Sequence, residues 1–155
     1  MPPFEQVEKP LGVLFKENKE KQARIAERVF LLKHFFESLK EINNQGGNGK
    51  AHLEQILICL NANSFERLAG PANGGDRQEL IKLITEQVDY LTKELEQVES
   101  EMVTVWQQSD KELKDYKVGN EKPAGIVELE ERQTFLIGTQ KTLQALSNEL
   151  ARWGV

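Results

Sequence analysis

Apolar residues recur at alternating steps of four and three along the segment from Arg77 to about Lys117. These positions are Ile84, Val88, Leu91, Leu95, Val98, Met102 and Val105. A helix makes one turn in about 3.6 residues, so this spacing places all of them on one face, while charged residues occupy most other positions. The segment predicts one long amphipathic helix, whose apolar stripe must be covered by other helices of the chain or by another chain.

Two further segments carry a helical period. Leu11 to Asn44 predicts a first long helix, whose apolar stripe of roughly 160° is wide enough to contact two neighbouring helices. The members of that stripe are Leu11, Phe15, Ile25, Val29, Leu31, Leu32, Phe35, Phe36, Leu39 and Ile42. Ile126 to Trp153 predicts the last helix, and its apolar side contains Leu129, Leu136, Leu143, Leu146 and Leu150.

Breaks rich in glycine, asparagine or proline separate the helices near residues 43–50, 70–76 and 118–125. Between the first two breaks, Ala51 to Leu60 predicts a short buried helix, and the pattern from Asn63 to Glu66 predicts one more capped turn. Asp76 with Glu79 forms a capping-box pattern at the start of the long helix. Residues 1–9 have no clear period, which predicts an extended or disordered lead.

These elements predict an all-α fold in a single domain that spans residues 1–155. The predicted fold is an antiparallel bundle of three long helices with one or two short helices and coiled-coil-like packing. The short connection at residues 118–125 implies that the last two helices form an antiparallel hairpin.

The composition places the chain among single globular domains, since 155 residues with 39% hydrophobic content suffice for one core. The one cysteine, Cys59, lies in an apolar run and is expected to behave as a small hydrophobic residue. No segment resembles a signal peptide, and none approaches the roughly 20 apolar residues of a membrane span. We therefore expect a cytoplasmic protein without a membrane span.

Charge is distributed unevenly along the chain. Lys9 to Lys50 carries nine basic and five acidic residues, whereas Arg77 to Val155 carries ten basic and fifteen acidic residues. This asymmetry favours packing between oppositely charged helices. Glutamates interrupt the cationic faces of the first helix, and a nucleic-acid partner is not expected, because phosphate contacts require clustered Lys and Arg.

The sequence contains few residues that could bind a metal or a cofactor. His34 and His52 lie on different predicted helices, and neither has the glutamate three residues earlier that di-metal bundles use. With one cysteine and two histidines, the chain has too few soft ligands for a zinc site. We expect no cofactor and no metal.

One set of carboxylates suggests an alternative function as an enzyme. Glu96 and Glu99, followed after twelve residues by Glu112 and Asp115, resemble the ExxE and ExxD motifs of all-alpha nucleotide pyrophosphohydrolases of the MazG type. The resemblance implies a Mg²⁺-dependent enzyme in which these four residues bind the metal, provided that the helix folds back near Ser109. The phase of the apolar seam favours a continuous helix, and a solvated glutamate-rich face is the interpretation we prefer.

The sequence thus predicts a non-enzymatic interaction protein: an assembly subunit, an adaptor or a small chaperone. The long helix exceeds the helices available to cover it, which favours self-association as a homodimer over a monomer. Three apolar residues lie outside the stripes and are the predicted contacts with a protein partner, namely Phe30, Val103 and Ile137.

Overall fold

The computed structural model describes residues 11–45, 53–71, 74–116 and 122–153, with the backbone alone at 11–15 and 110–116. Throughout these ranges the chain forms helices joined by turns, and no strand occurs in them. The helices are α1 (Leu11–Gln45), α2 (Glu54–Cys59), α3 (Phe65–Ala69), α4 (Gly74–Tyr116) and α5 (Ile126–Trp153). The predicted all-α class is confirmed, as is the packing between long helices.

The described helix bounds agree with the sequence signals. α5 begins at the predicted Ile126 and is described to Trp153, and α1 is described to Gln45, one residue beyond the predicted Asn44. Gly125, immediately before α5, has a φ of 87°, a conformation that glycine adopts at little cost. The predicted lead at 1–9 and most of the first break lie outside the described residues.

Helices α4 and α5 form an antiparallel hairpin, which is the most extensive contact between helices. The Gln140 amide donates to the Thr92 hydroxyl at 2.8 Å, and the Gln133 amide donates to the Glu99 carboxylate at 3.5 Å. The seam of the hairpin is closed by fully buried residues from both helices, namely Ile84, Leu91, Val98, Leu136, Leu143, Leu146 and Leu150. The 3.6-residue period therefore describes the core that the hairpin buries.

Helix α1 packs on the rest of the molecule through its second half. Leu32 and Leu39 are fully buried, and the Phe36 ring meets the Phe65 ring of α3 edge-on at 5.9 Å. Every side chain from Lys16 to Arg24 is exposed. This stretch is polar, so it has little apolar area to bury.

The short helices α2 and α3 join α1 to the hairpin. Leu53, Ile56 and Leu60 from the first short segment, with Phe65 and Leu68 from the second, are buried in the same core as the long helices. Helix α2 contacts α1 and α4, and α3 contacts the same two helices. The predicted short helices are therefore confirmed, although α2 is shorter than the predicted Ala51 to Leu60.

Two capping predictions are wrong, and Cys59 is exposed. Asp76 lies inside α4, where it accepts a hydrogen bond from Arg67 Nε at 2.7 Å instead of capping the helix. The pattern from Asn63 to Glu66 predicts Asn63 as the cap of α3, but the residue that precedes α3 is Ser64, and its side chain makes no cap; its oxygen accepts a hydrogen bond from the Asn61 N–H at 3.0 Å. Cys59 is exposed in spite of its apolar surroundings in the sequence.

Helix α4 is continuous from Gly74 to Tyr116, as the apolar phase predicts, and it does not fold back near Ser109. None of the helices in the described ranges has the length and apolarity needed to cross a membrane.

Candidate functional site

The most exposed of the large apolar side chains in the described ranges belongs to Phe30 on α1, with 72% of its surface accessible. Its helical neighbours are Glu27 one turn before, and Lys33 and His34 one turn after, all of them exposed. We call these four residues the Phe30 surface. An aromatic ring surrounded by charged residues resembles the anchor of a protein interface.

The other two predicted contact residues differ in exposure. Val103 on α4 is 56% exposed, whereas Ile137 on α5 is partly buried. Val103 has a partly exposed aromatic neighbour one turn later, Trp106, so it belongs to a small apolar patch. Ile137 is thus the weakest of the three candidates.

Helix α4 is longer than the helix that covers it. It has 43 residues against 28 in α5, and its first turn lies beside the last turn of α5, where Arg77 and Trp153 line one cavity. The far end of α4 therefore extends past the start of α5. Val103 and Trp106, which we call the Val103 patch, lie near the point where this overhang begins, on a side of α4 that the seam with α5 does not include.

The four carboxylates of the pyrophosphohydrolase hypothesis follow one another along α4. Glu96 and Glu112 are separated by about 24 Å along the helix axis at about 1.5 Å per residue, which prevents all four from binding one metal ion. The side chains of Glu112 and Asp115 lie outside those described. Among the described residues, no group of three or more His, Cys, Asp or Glu could hold a metal ion.

A basic cavity of about 340 Å³ lies where the second quarter of α1 meets the start of α4 and the end of α5. We call it the arginine cavity. Its lining consists of Lys21, Arg24, Ile25, Arg28, Pro71, Arg77 and Trp153. Four of these seven residues are cationic, and none is acidic.

Arg77 is the most unusual residue of the arginine cavity because its side chain is buried, with 2% of the residue exposed. Its Nη1 donates to the Leu68 carbonyl at 3.0 Å and also to the Gly70 carbonyl. Arg28 Nη1 donates to the Ala69 carbonyl between them at 3.0 Å. The two arginines thus satisfy three consecutive carbonyls at the end of α3, which a five-residue helix leaves without helical partners.

The electrostatic environment of Arg28 is positive. Burial lowers the pKa of its guanidinium below the ordinary value, and the positive charges of Arg77 and Arg24 lower that pKa further. The guanidinium carbon of Arg28 lies 5.3 Å from the centre of the Trp153 ring, a cation–π contact that partly offsets this cost.

Sequence reasoning missed this cavity, although part of its signal was present. Lys21, Arg24 and Arg28 follow one another at steps of three and four, so they share a face of α1. Glu20 lies one turn before Arg24 and Glu27 immediately before Arg28, but neither lines the cavity. The contribution of Arg77 had no sequence signal, since its place depends on how α4 meets α3.

Among the described residues, His34 belongs to no group that could hold a metal ion. It is exposed, and its ring meets the Phe35 ring at 6.5 Å. His52 lies outside the described residues.

No family model matches this chain, and neither a curated protein nor a solved structure matches it.

Proposed function

We propose that this protein is a non-enzymatic helical interaction protein that acts through protein–protein contacts, as an assembly subunit, an adaptor or a small chaperone. The proposal includes the finer architecture predicted above, an antiparallel bundle of three long helices, and a location in the cytoplasm. No observation on the described residues favours the pyrophosphohydrolase alternative. The predicted absence of catalysis therefore remains part of the proposal.

The observation that carries this proposal is the exposure of Phe30. Leu32, two residues further along α1, lies on the opposite side of the helix. It is fully buried, while Phe30 is 72% exposed. The ring therefore contributes little to the core, and burying it against a partner would remove a large apolar area from water. The exposed charges of Glu27 and Lys33 beside it can form the polar rim that such contacts have.

We predict that Phe30→Ala weakens binding to the native partner and leaves the fold intact. Removal of an interface aromatic anchor costs about 2 kcal/mol or more of binding free energy, which is roughly a thirtyfold loss of affinity. The fold should lose under about 1 kcal/mol, because the ring is solvent-exposed. The partner is first identified by crosslinking in the native cell, and its affinity for both variants is then measured by titration calorimetry.

Ile58→Ala is the matched control, since Ile58 is 64% exposed and lies on α2 instead of α1. It should retain wild-type affinity and a wild-type thermal midpoint. Equal binding by wild type and Phe30→Ala would refute the proposed surface. A collapse of the thermal midpoint in Phe30→Ala would show that the ring is part of the core.

Self-association is the second form that the proposed function can take. The exposed Val103 and Trp106 side chains of the Val103 patch provide an apolar area that a second copy of the chain can bury. We predict that sedimentation equilibrium at micromolar concentration gives twice the chain mass of 17.7 kDa. Val103→Glu should restore the monomer mass, because a carboxylate in an apolar contact is costly to desolvate.

Thr104→Glu is the control for the self-association test, because it introduces the same carboxylate at the next residue, which is also exposed. It should leave the dimer in place. A mass near 17.7 kDa for the wild type would exclude the dimer at this concentration.

A further inference from the structure

The lining of the arginine cavity carries four cations and no carboxylate. The carbonyls of Leu68, Ala69 and Gly70 receive hydrogen bonds from two guanidinium groups, but carbonyls are dipoles and carry no net charge. Lys21 and Arg24 add two more cations at the mouth of the cavity. Glu17 and Glu20 lie one turn before Lys21 and Arg24 on α1, and neither lines the cavity.

A second observation indicates an absent acceptor. Arg77 Nε is a buried donor that has no hydrogen-bond partner among the described residues. A buried N–H without a partner costs free energy, more so on a charged group, and buried polar groups are satisfied in most proteins. Since Arg77 lines the cavity, an oxygen-bearing anion bound there lies beside the guanidinium group that carries this donor.

The size also fits a small anion. A volume of about 340 Å³ lies at the lower end of the range of about 300–1,000 Å³ typical of small-molecule sites. The positive first turn of α4 and the negative last turn of α5 meet at this cavity, so the attraction for an anion comes from the side-chain cations and not from the helix dipoles.

We infer that the arginine cavity is a binding site for the phosphate group of a small molecule, with Arg77 and Arg28 at its base and Arg24 and Lys21 at its mouth. Guanidinium groups suit this ligand because their planar N–H donors match two phosphate oxygens at once. Four cations favour a doubly charged phosphate over a singly charged carboxylate. This site is independent of the Phe30 surface and of the self-association proposed above.

The test follows the arginine Nε–H signals by ¹H–¹⁵N NMR during titration with inorganic phosphate and, separately, with glycerol 3-phosphate. Sodium chloride at equal ionic strength corrects for screening. The Arg77 signal is assigned by its disappearance in Arg77→Lys. We expect a saturable shift of this signal with at least one of the two phosphates. The ligand with the lower dissociation constant shows whether the site prefers the free ion or an organic phosphate.

Arg24→Gln tests the site without threatening the fold, because Arg24 is exposed. It should weaken phosphate binding at least fivefold. Arg132→Gln removes an equal charge from a residue outside the cavity, which pairs with Glu94 at 3.2 Å, and should change the affinity less than twofold. The absence of a saturable shift, or equal losses in the two variants, would overturn the inference.

A thermal midpoint provides a second measurement that does not depend on signal assignment. A ligand that binds only the folded state raises the midpoint. Phosphate should therefore raise the midpoint of the wild type above that in sodium chloride of equal ionic strength, and this difference should shrink in Arg24→Gln. An equal rise in both proteins would mean that phosphate acts without using the cavity, and the inference would fail.

Discussion

Leu32→Ala is expected to lower the free energy of unfolding by about 2–5 kcal/mol, the usual cost of cutting a buried leucine back to alanine. Leu32 is 0% exposed and, with Leu39, anchors the second half of α1 in the core. The loss has two parts, the transfer of the removed carbons and the cavity left behind. Urea unfolding followed by circular dichroism measures it, with a shift in midpoint at constant slope.

Leu31→Ala is a closely matched control, since the same substitution is made one residue earlier in the same helix. Leu31 is 36% exposed, so the change in helix propensity is equal while the loss of burial is smaller. The cost should be about 1 kcal/mol or less. If both variants lose the same stability, α1 does not present Leu32 to the core in the way that the structure describes.

Arg77→Met is expected to cost about 2–4 kcal/mol of folding free energy, because it removes both hydrogen bonds to the carbonyls of Leu68 and Gly70. Methionine fills similar space but offers no donor, so the carbonyls at the end of α3 lose their partner. Two effects oppose this loss: the positive charge that lowers the pKa of Arg28 disappears with Arg77, and so does the buried Nε–H that has no partner among the described residues. We expect the lost hydrogen bonds to outweigh both, as measured by urea unfolding.

Arg67→Met is the corresponding control on the surface. Arg67 also contacts the start of α4, where its Nε lies 2.7 Å from the Asp76 carboxylate, but 67% of its side chain is exposed. Exposed ion pairs contribute roughly 0–1 kcal/mol, because water screens them and ordering two side chains costs entropy. Wild-type stability in Arg77→Met would contradict the structural role assigned to the buried guanidinium.

Phe30 shows which part of the candidate site can be predicted from the sequence. Its place outside the apolar stripe of α1 follows from the 3.6-residue period, and its exposure in the structure agrees with that phase. The same argument was less successful for Ile137, which is partly buried in spite of its outlying phase. The contacts of Phe30, Val103 and Ile137 with a partner remain predictions.

The two incorrect caps show where local patterns fail. A capping box is read from residues three apart in the sequence, but the Asp76 carboxylate and the Ser64 oxygen each accept a hydrogen bond from another donor in the folded chain. For Asp76 the competitor is the guanidinium of Arg67, which the turn between α3 and α4 brings within reach. A charged donor makes the stronger hydrogen bond, and it outweighed the local motif.

The sequence by itself determined the elements: three long helices, their apolar faces and the glycine-rich places where they end, because these depend on periodicity and backbone preference alone. Only the tertiary structure decided which residues α1 contacts. The polar stretch from Lys16 to Arg24 is exposed, and Arg24 and Arg28 line the same cavity as Arg77 at the end of α3. That meeting depends on the angles at which three helices cross, and side-chain period within one helix carries no information about such angles.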